Sequence, residues 1–396
     1  MNTTHSMFAS VSLGLMASVG GFALAEGGSD PRVEMIEFPG DSTRNANLHF
    51  SGDGSTIVIG TADATVDLYV HRGADWVHTG RVVYSLGFDL VNYGISDNGE
   101  AIGITDFQNT TIVENALTTT LPRRWSSSDY GELRGYLHGR ALSGDGLVVG
   151  ADGDPYDASY RDAVIWNGGV SFVNISEDLP QDRVNYFMKA LDEDGSVAVF
   201  GASYSARHNN IRLTSTERDT WVWDEGELTM IPTIDPGYDV FMRAREVSGN
   251  GEAVIGNAEG RWRPGFGGED QLHEVDPYGI GIIGSPNHAW IWTQESGTVE
   301  IADPDRFDSV GALDITDDAC VVLGNAKWVN SEKRDQFLWY GEGKFVIVGD
   351  LLSKIGVSID ADWYSFYQIS GDGSMLMGLA KREDHFYAIK VVIPVR

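Results

Sequence analysis

The sequence predicts an all-β fold, a seven-bladed β-propeller of four-stranded blades in which an N-terminal strand closes the last blade. Three observations lead there. A short phrase recurs seven times, as HFSGDGSTIVIG, GISDNGEAIG, ALSGDGLVVG, ALDEDGSVAVFG, EVSGNGEAVIG, DITDDACVVLG and QISGDGSMLMG. Its closing glycines run from Gly60 to Gly378 with a mean step of 53 residues, near the ~40 to 50 of a propeller blade. The seventh repeat shows three strands, while RVEMIEF (Arg32 to Phe38) precedes the first phrase as an unattached strand. Its docking onto repeat seven would remove two exposed sheet edges at once.

From the N-terminus, Met7 to Ala25 is apolar or small throughout and ends in Ala23-Leu24-Ala25, the shape of a signal-peptidase site, although no basic residue precedes it. The expectation is a signal peptide over 1–25 and a single propeller domain over 26–396, exported to a periplasmic or extracellular setting. No other run approaches the ~18 apolar residues of a membrane span, so the mature chain is not expected to insert in a membrane.

Within each phrase an alternating apolar run meets a Ser-Gly-Asp-Gly type tetrad and then a β-branched run ending at glycine. Asp-Gly between alternating runs predicts a hairpin with a type I′ turn, both of whose central residues need positive φ. Repeat six has Asp318-Ala319 in place of Asp-Gly, so its turn is expected to be strained or differently shaped. The gap from turn to closing glycine varies, and a one-residue difference flips a strand's faces unless a bulge absorbs it. A third strand follows in RDAVIW, RDTWVW, HAWIW, RDQFLW and EDHFYAIKVVI, and a fourth in GVSFVNI, GELTMIP, GTVEIAD and GKFVIVGD.

These residues carry a family likeness. The tetrad, the closing glycine and the A-x-x-W strand resemble bacterial extracellular proteins built of HAF repeats, over most of 141–396. Repeat one, with VDLYV and Trp76, is similar to FG-GAP-like propeller repeats, although TADAT (Thr61 to Thr65) lacks their Asp/Asn-rich calcium loop. The resemblance implies an exported propeller and supplies no catalytic residues.

Composition narrows the partners. With 58 acidic and 28 basic residues, a net charge of −30 argues against nucleic acid and anionic membranes. The single cysteine, Cys320, precludes an intramolecular disulfide, and its apolar surroundings predict a buried small hydrophobe. The nine histidines form no H-x-x-H or H-E-x-x-H spacing, and Asp152, Asp154 and Asp157 miss the EF-hand order. Neither metal nor cofactor is expected, and the chain is expected to be a monomer.

Arg161-Asp162, Arg218-Asp219 and Arg334-Asp335 stand at one spacing before their tryptophans. They read either as a partial ring of carboxylates around a channel or, preferably, as polar strand starts whose tryptophans pack blade on blade. Loops that interrupt the repeat are better candidates for binding. Three, at 118–140, 203–216 and 257–287, concentrate arginine and aromatics, which makes Arg124, Trp125, Arg207, Arg261, Trp262 and Arg263 the candidate ligand-binding residues. The function expected is a binding or scaffold module for a glycan or a cell-surface protein. The alternative is a propeller-fold polysaccharide lyase or glycosidase, which needs two acid/base groups converging in a cleft.

Overall fold

The computed structural model describes residues 31–393 apart from 39–46, 64, 73–74, 84–90, 106–109, 115–116, 121–135, 155–161, 167–172, 180–183, 205–206, 209–210, 213–216, 235–239, 261–286 and 342. The expected signal peptide lies outside the described residues. Strands dominate, and the one helix among the described residues is Val348–Lys354. No helix among them is long and apolar enough to cross a membrane.

The strands form seven four-stranded antiparallel sheets and one small hairpin, Arg207–His208 with Ile211–Arg212. The expectation of seven blades, one to a repeat, is corrected on one count: six repeats build a blade from their own strands, not seven. Repeat seven supplies only Trp363–Ile369, Met375–Arg382 and His385–Val392. Its fourth strand is Arg32–Glu37, antiparallel to His385–Val392 with Arg32 opposite Val392 and Glu37 opposite Tyr387. Glu34 pairs with Lys390 at 2.9 Å and Glu37 with His385 at 2.7 Å along this junction. The indole N–H of Trp76 donates to the Glu37 carbonyl at 2.8 Å, which ties the hairpin of repeat one to the same strand.

The tetrad is not a type I′ turn. Only its last residue takes positive φ, as in Gly54 (65°), Gly146 (77°) and Gly373 (72°), whereas the preceding aspartates do not. Side chains close the loop instead: Ser51 Oγ donates to Asp53 Oδ1 (2.6 Å), the Ser55 N–H donates to the same oxygen (2.8 Å), and the Thr56 N–H donates to Ser51 Oγ (3.0 Å). Hydroxyl and carboxylate thus take N–H groups that a two-residue turn would leave to the opposite strand. Repeat six repeats these bonds through Thr316 and Asp318, with Ala319 at φ 59°. Its turn therefore has the common shape, and the alanine carries the left-handed strain. Cys320, just beyond, is exposed rather than buried.

Six inner strands bulge at one position. The ladder skips Tyr93, Arg140, Lys189, Arg245, Leu313 and Tyr367, each three residues before its tetrad. Repeat one pairs without a skip. The bulge explains the closing glycine. A Cβ on Gly256, Gly324 or Gly378 would collide with the carbonyl oxygen of Arg243, Gly311 or Ser365 on the bulged strand. Only glycine admits so close an approach of backbone.

Core clusters cross from sheet to sheet. Trp166 packs with Val149 on Ala101 of the preceding repeat, and Trp290 and Trp292 share a cluster with Val197 and Val199 of theirs. Burial of each apolar blade face against its neighbour therefore holds the ring.

Candidate functional site in the axial cavity

At the tetrad end of the channel lies a cavity of about 480 Å³, walled by inner strands of all seven repeats. Its rim is the second residue of each tetrad. Reading round the ring these are Gly52, Asp97, Gly144, Glu193, Gly249, Asp317 and Gly371, so that carboxylates from repeats two, four and six stand between glycines. Neighbouring tetrads are linked through their backbones: the Asp53 N–H donates to Asp97 O (2.9 Å), Asp97 N–H to Gly144 O (2.7 Å), Asp145 N–H to Glu193 O (2.8 Å), Glu193 N–H to Gly249 O (3.0 Å), Asn250 N–H to Asp317 O (3.0 Å) and Asp317 N–H to Gly371 O (2.9 Å).

The glycines make room for the acids. A Cβ on Gly52 or Gly144 would strike the Asp97 carboxylate, and one on Gly249 or Gly371 would strike that of Asp317. Burial, with the charges of Asp317 and Glu193, raises Asp97 to a pKa of about 6. Asp317 is raised by burial and by Glu193. The outer tetrad acids behave oppositely. Asp53 and Asp372, although partial burial works against them, are held below the usual carboxylate range by hydrogen bonds from Ser51, Ser55, Ser370 and Ser374.

Below the rim, the residues two before each tetrad include His49, Glu246, Asp314 and Gln368, and those three before include Lys189, Arg245, Leu313 and Tyr367. The bulge turns the latter set, the skipped residues, out of the ladder and onto the cavity wall. Some of these groups are occupied. Both oxygens of Asp314 accept backbone N–H groups, from Ile315 (3.0 Å) and from Ile369 of the next repeat (2.7 Å). Gln368 is likewise engaged with the backbone of Phe50.

Others are not. Glu246 accepts one N–H, from Val247 at 3.3 Å, and burial with the nearby Asp314 lifts its pKa to about 8. Burial raises Asp314 to about 7 and lowers His49 to about 4, so the imidazole is neutral at pH 7. The Tyr367 hydroxyl is buried without a hydrogen-bond partner, and burial pushes its pKa well up. Arg245 is exposed to the cavity. Among the described residues no three His, Cys, Asp or Glu side chains converge closely enough to share a metal ion.

Arg124, Trp125, Arg261, Trp262 and Arg263 lie outside the described residues, and Arg207 is described only as backbone of the short hairpin. Of the Arg-Asp pairs, Arg161 lies outside the described residues, and Asp162, Asp219, Arg334 and Asp335 do not line the cavity. Asp335 accepts the Trp328 indole N–H (2.6 Å) and pairs with Lys333 (2.5 Å), while Asp162 accepts from Asn174 (3.3 Å) and Ser176 (3.5 Å). A ring of carboxylates exists, but the tetrads build it. Its signal was in the sequence, in the alternation of SG and SD, DE or TD at the start of successive tetrads.

No family model matches the chain, and no curated protein matches it. Solved structures share the fold. An oligogalacturonate lyase in complex with manganese is 12% identical, with a TM-score of 0.53 over 93% of this chain and 98% of that one. The oligogalacturonate lyase of Vibrio parahaemolyticus is 10% identical, with a TM-score of 0.52 over the same shares. At such identities the likeness shows a β-propeller and nothing finer.

Proposed function

We propose that this chain is an exported propeller of the HAF-repeat kind that binds a small polar ligand in its axial cavity. The observation that carries the reading is the cavity itself: an enclosure of about 480 Å³ whose rim alternates glycine with carboxylate and whose wall holds ionisable groups. Such alternation has no role in holding blades together. Blade contact runs through the tetrad backbones and the apolar faces, and uncompensated carboxylates set near one another oppose folding. Of the two partner classes expected from the sequence, a glycan fragment or similar small molecule suits this volume, and a protein surface does not enter it.

The test uses protein from Glu26 onward and a panel of small polar compounds and oligosaccharides, read by saturation-transfer NMR. Binding should survive replacement of residues 261–286 by a short Gly-Ser linker and be lost in Asp97→Asn/Asp317→Asn. Loss with the loop and retention in the double variant would move the site to the loop.

A lyase acting on uronide chains is the second reading, favoured by one observation: neutral His49 and the Tyr367 phenol line the same cavity. It ranks second because Asp314, beside them, has both oxygens engaged by backbone N–H groups, and Gln368 is an amide with no acid or base to offer. Release of unsaturated uronides from pectin fragments, absent in Tyr367→Phe, would reverse the order.

A further inference from the structure

We propose that the ligand of the axial cavity is a linear zwitterion of di- or tripeptide length, its cationic end at the rim carboxylates Asp97, Glu193 and Asp317 and its anionic end at Arg245. The proposal rests on the reading of the cavity as a ligand site and adds the ligand's chemistry.

Two opposite poles face one enclosure. The rim is anionic: Asp97, Glu193 and Asp317 face one another across it, and the cations of the cavity, Lys189 and Arg245, stand on the wall below. Four residues down the inner strand of repeat five, Arg245 is the bulged, unpaired residue of its ladder and is exposed to the cavity. It makes no hydrogen bond or ion pair among the described residues. Its nearest acids are Glu246, which burial holds protonated at neutral pH, and Asp314, whose two oxygens each accept a backbone N–H.

Tyr367, the bulged residue of repeat seven, stands on the same wall. Length follows from strand geometry. Four residues, one of them bulged, span roughly 10 Å at about 3.3 Å per step, and an extended di- or tripeptide covers roughly 7–10 Å.

Calorimetry at pH 7 and low salt, on protein from Glu26 onward, tests this with triglycine, N-acetyl-triglycine and triglycine amide. Triglycine should bind, and each blocked form should bind at least about tenfold more weakly, about 1.4 kcal/mol. Arg245→Gln should abolish the preference for triglycine over its amide while keeping the preference over the acetylated form, and Asp97→Asn/Asp317→Asn should do the reverse. Thermal melts establish that the variants are folded. Equal binding of all three peptides, or an equal loss for all three in Arg245→Gln, overturns the proposal. If no peptide binds while another compound of the broader panel does so in a rim-dependent way, the zwitterion falls and the cavity reading stands; if nothing binds at the rim, both fall.

Discussion

Gln368 holds Phe50 by both backbone groups: the Phe50 N–H donates to Oε1 at 3.0 Å and Nε2 donates to the Phe50 carbonyl at 3.2 Å. The two residues are 318 apart in sequence and join repeat seven to repeat one. The same device recurs where Asn257 engages Ala312 (2.8 and 3.2 Å) and where Gln336 engages Phe366. In the last two the clasped residue is the one just before a bulge, whose ladder partners the bulge has displaced.

Gln368→Ala should therefore destabilise by about 2–3 kcal/mol, because Phe50 is buried and both of its groups lose a partner. Urea unfolding measures it. A loss under about 0.5 kcal/mol would mean that the ring is not closed by this clasp.

Deleting residues 26–40 should lower the melting temperature and promote self-association. The edge of His385–Val392 would be bared along six paired positions, together with the apolar contacts of Val33, Met35 and Ile36. Melting and light scattering read both effects, and an unchanged melt would contradict the closure.

Ala319→Gly should stabilise by about 0.5–1 kcal/mol, since φ 59° strains alanine and not glycine. Gly373→Ala, at φ 72° in the matching turn, should do the opposite. Equal effects of one sign from the two changes would show that turn strain is not what they report.

Stability should peak at mildly acid pH. Asp97, Asp314 and Glu246 have folded pKa values of about 6, 7 and 8 against ordinary values near 4, so the folded state holds more protons between these limits. Stability then falls as pH rises from about 4 to 8. Below about 4 the trend reverses, because Asp53, Asp194, Asp318 and Asp372 have depressed pKa values and their contribution is lost as they protonate. Glu246→Gln should raise stability at pH 8 and flatten the slope above pH 6; a steeper slope would reverse the assignment.

Asp97→Asn should stabilise the protein at pH 7.5 while weakening the ligand, since it relieves the repulsion from Asp317 and Glu193. Melting temperature and affinity measured on one preparation should move in opposite directions.

Repeats, tetrads and the closing strand were legible because each is a local pattern: a turn residue, an alternation, a period. The bulges were not, for Arg245 and Leu313 look like ordinary inner-strand residues until the ladder skips them. The closing glycine was their trace, unexplained by any turn. The rim was in plain view at Asp97, Glu193 and Asp317, yet spacings of 96 and 124 residues become neighbourhood only once the ring is closed. Arg334-Asp335 was legible as a polar strand start, since a motif that tracks the repeat marks a strand start whether or not it meets the axis.

Parity has the last word on the rim. An odd number of tetrads cannot alternate two kinds of residue all the way round, so one junction must set like beside like. It falls between Gly371 and Gly52, two bare positions in succession. There, too, the tetrad-to-tetrad backbone bond is missing among the described residues, and the Gln368 clasp below and Lys390 reaching the Gly54 carbonyl (3.2 Å) stand in for it. The collar of acids is thus a horseshoe, open across the junction where the last repeat meets the first.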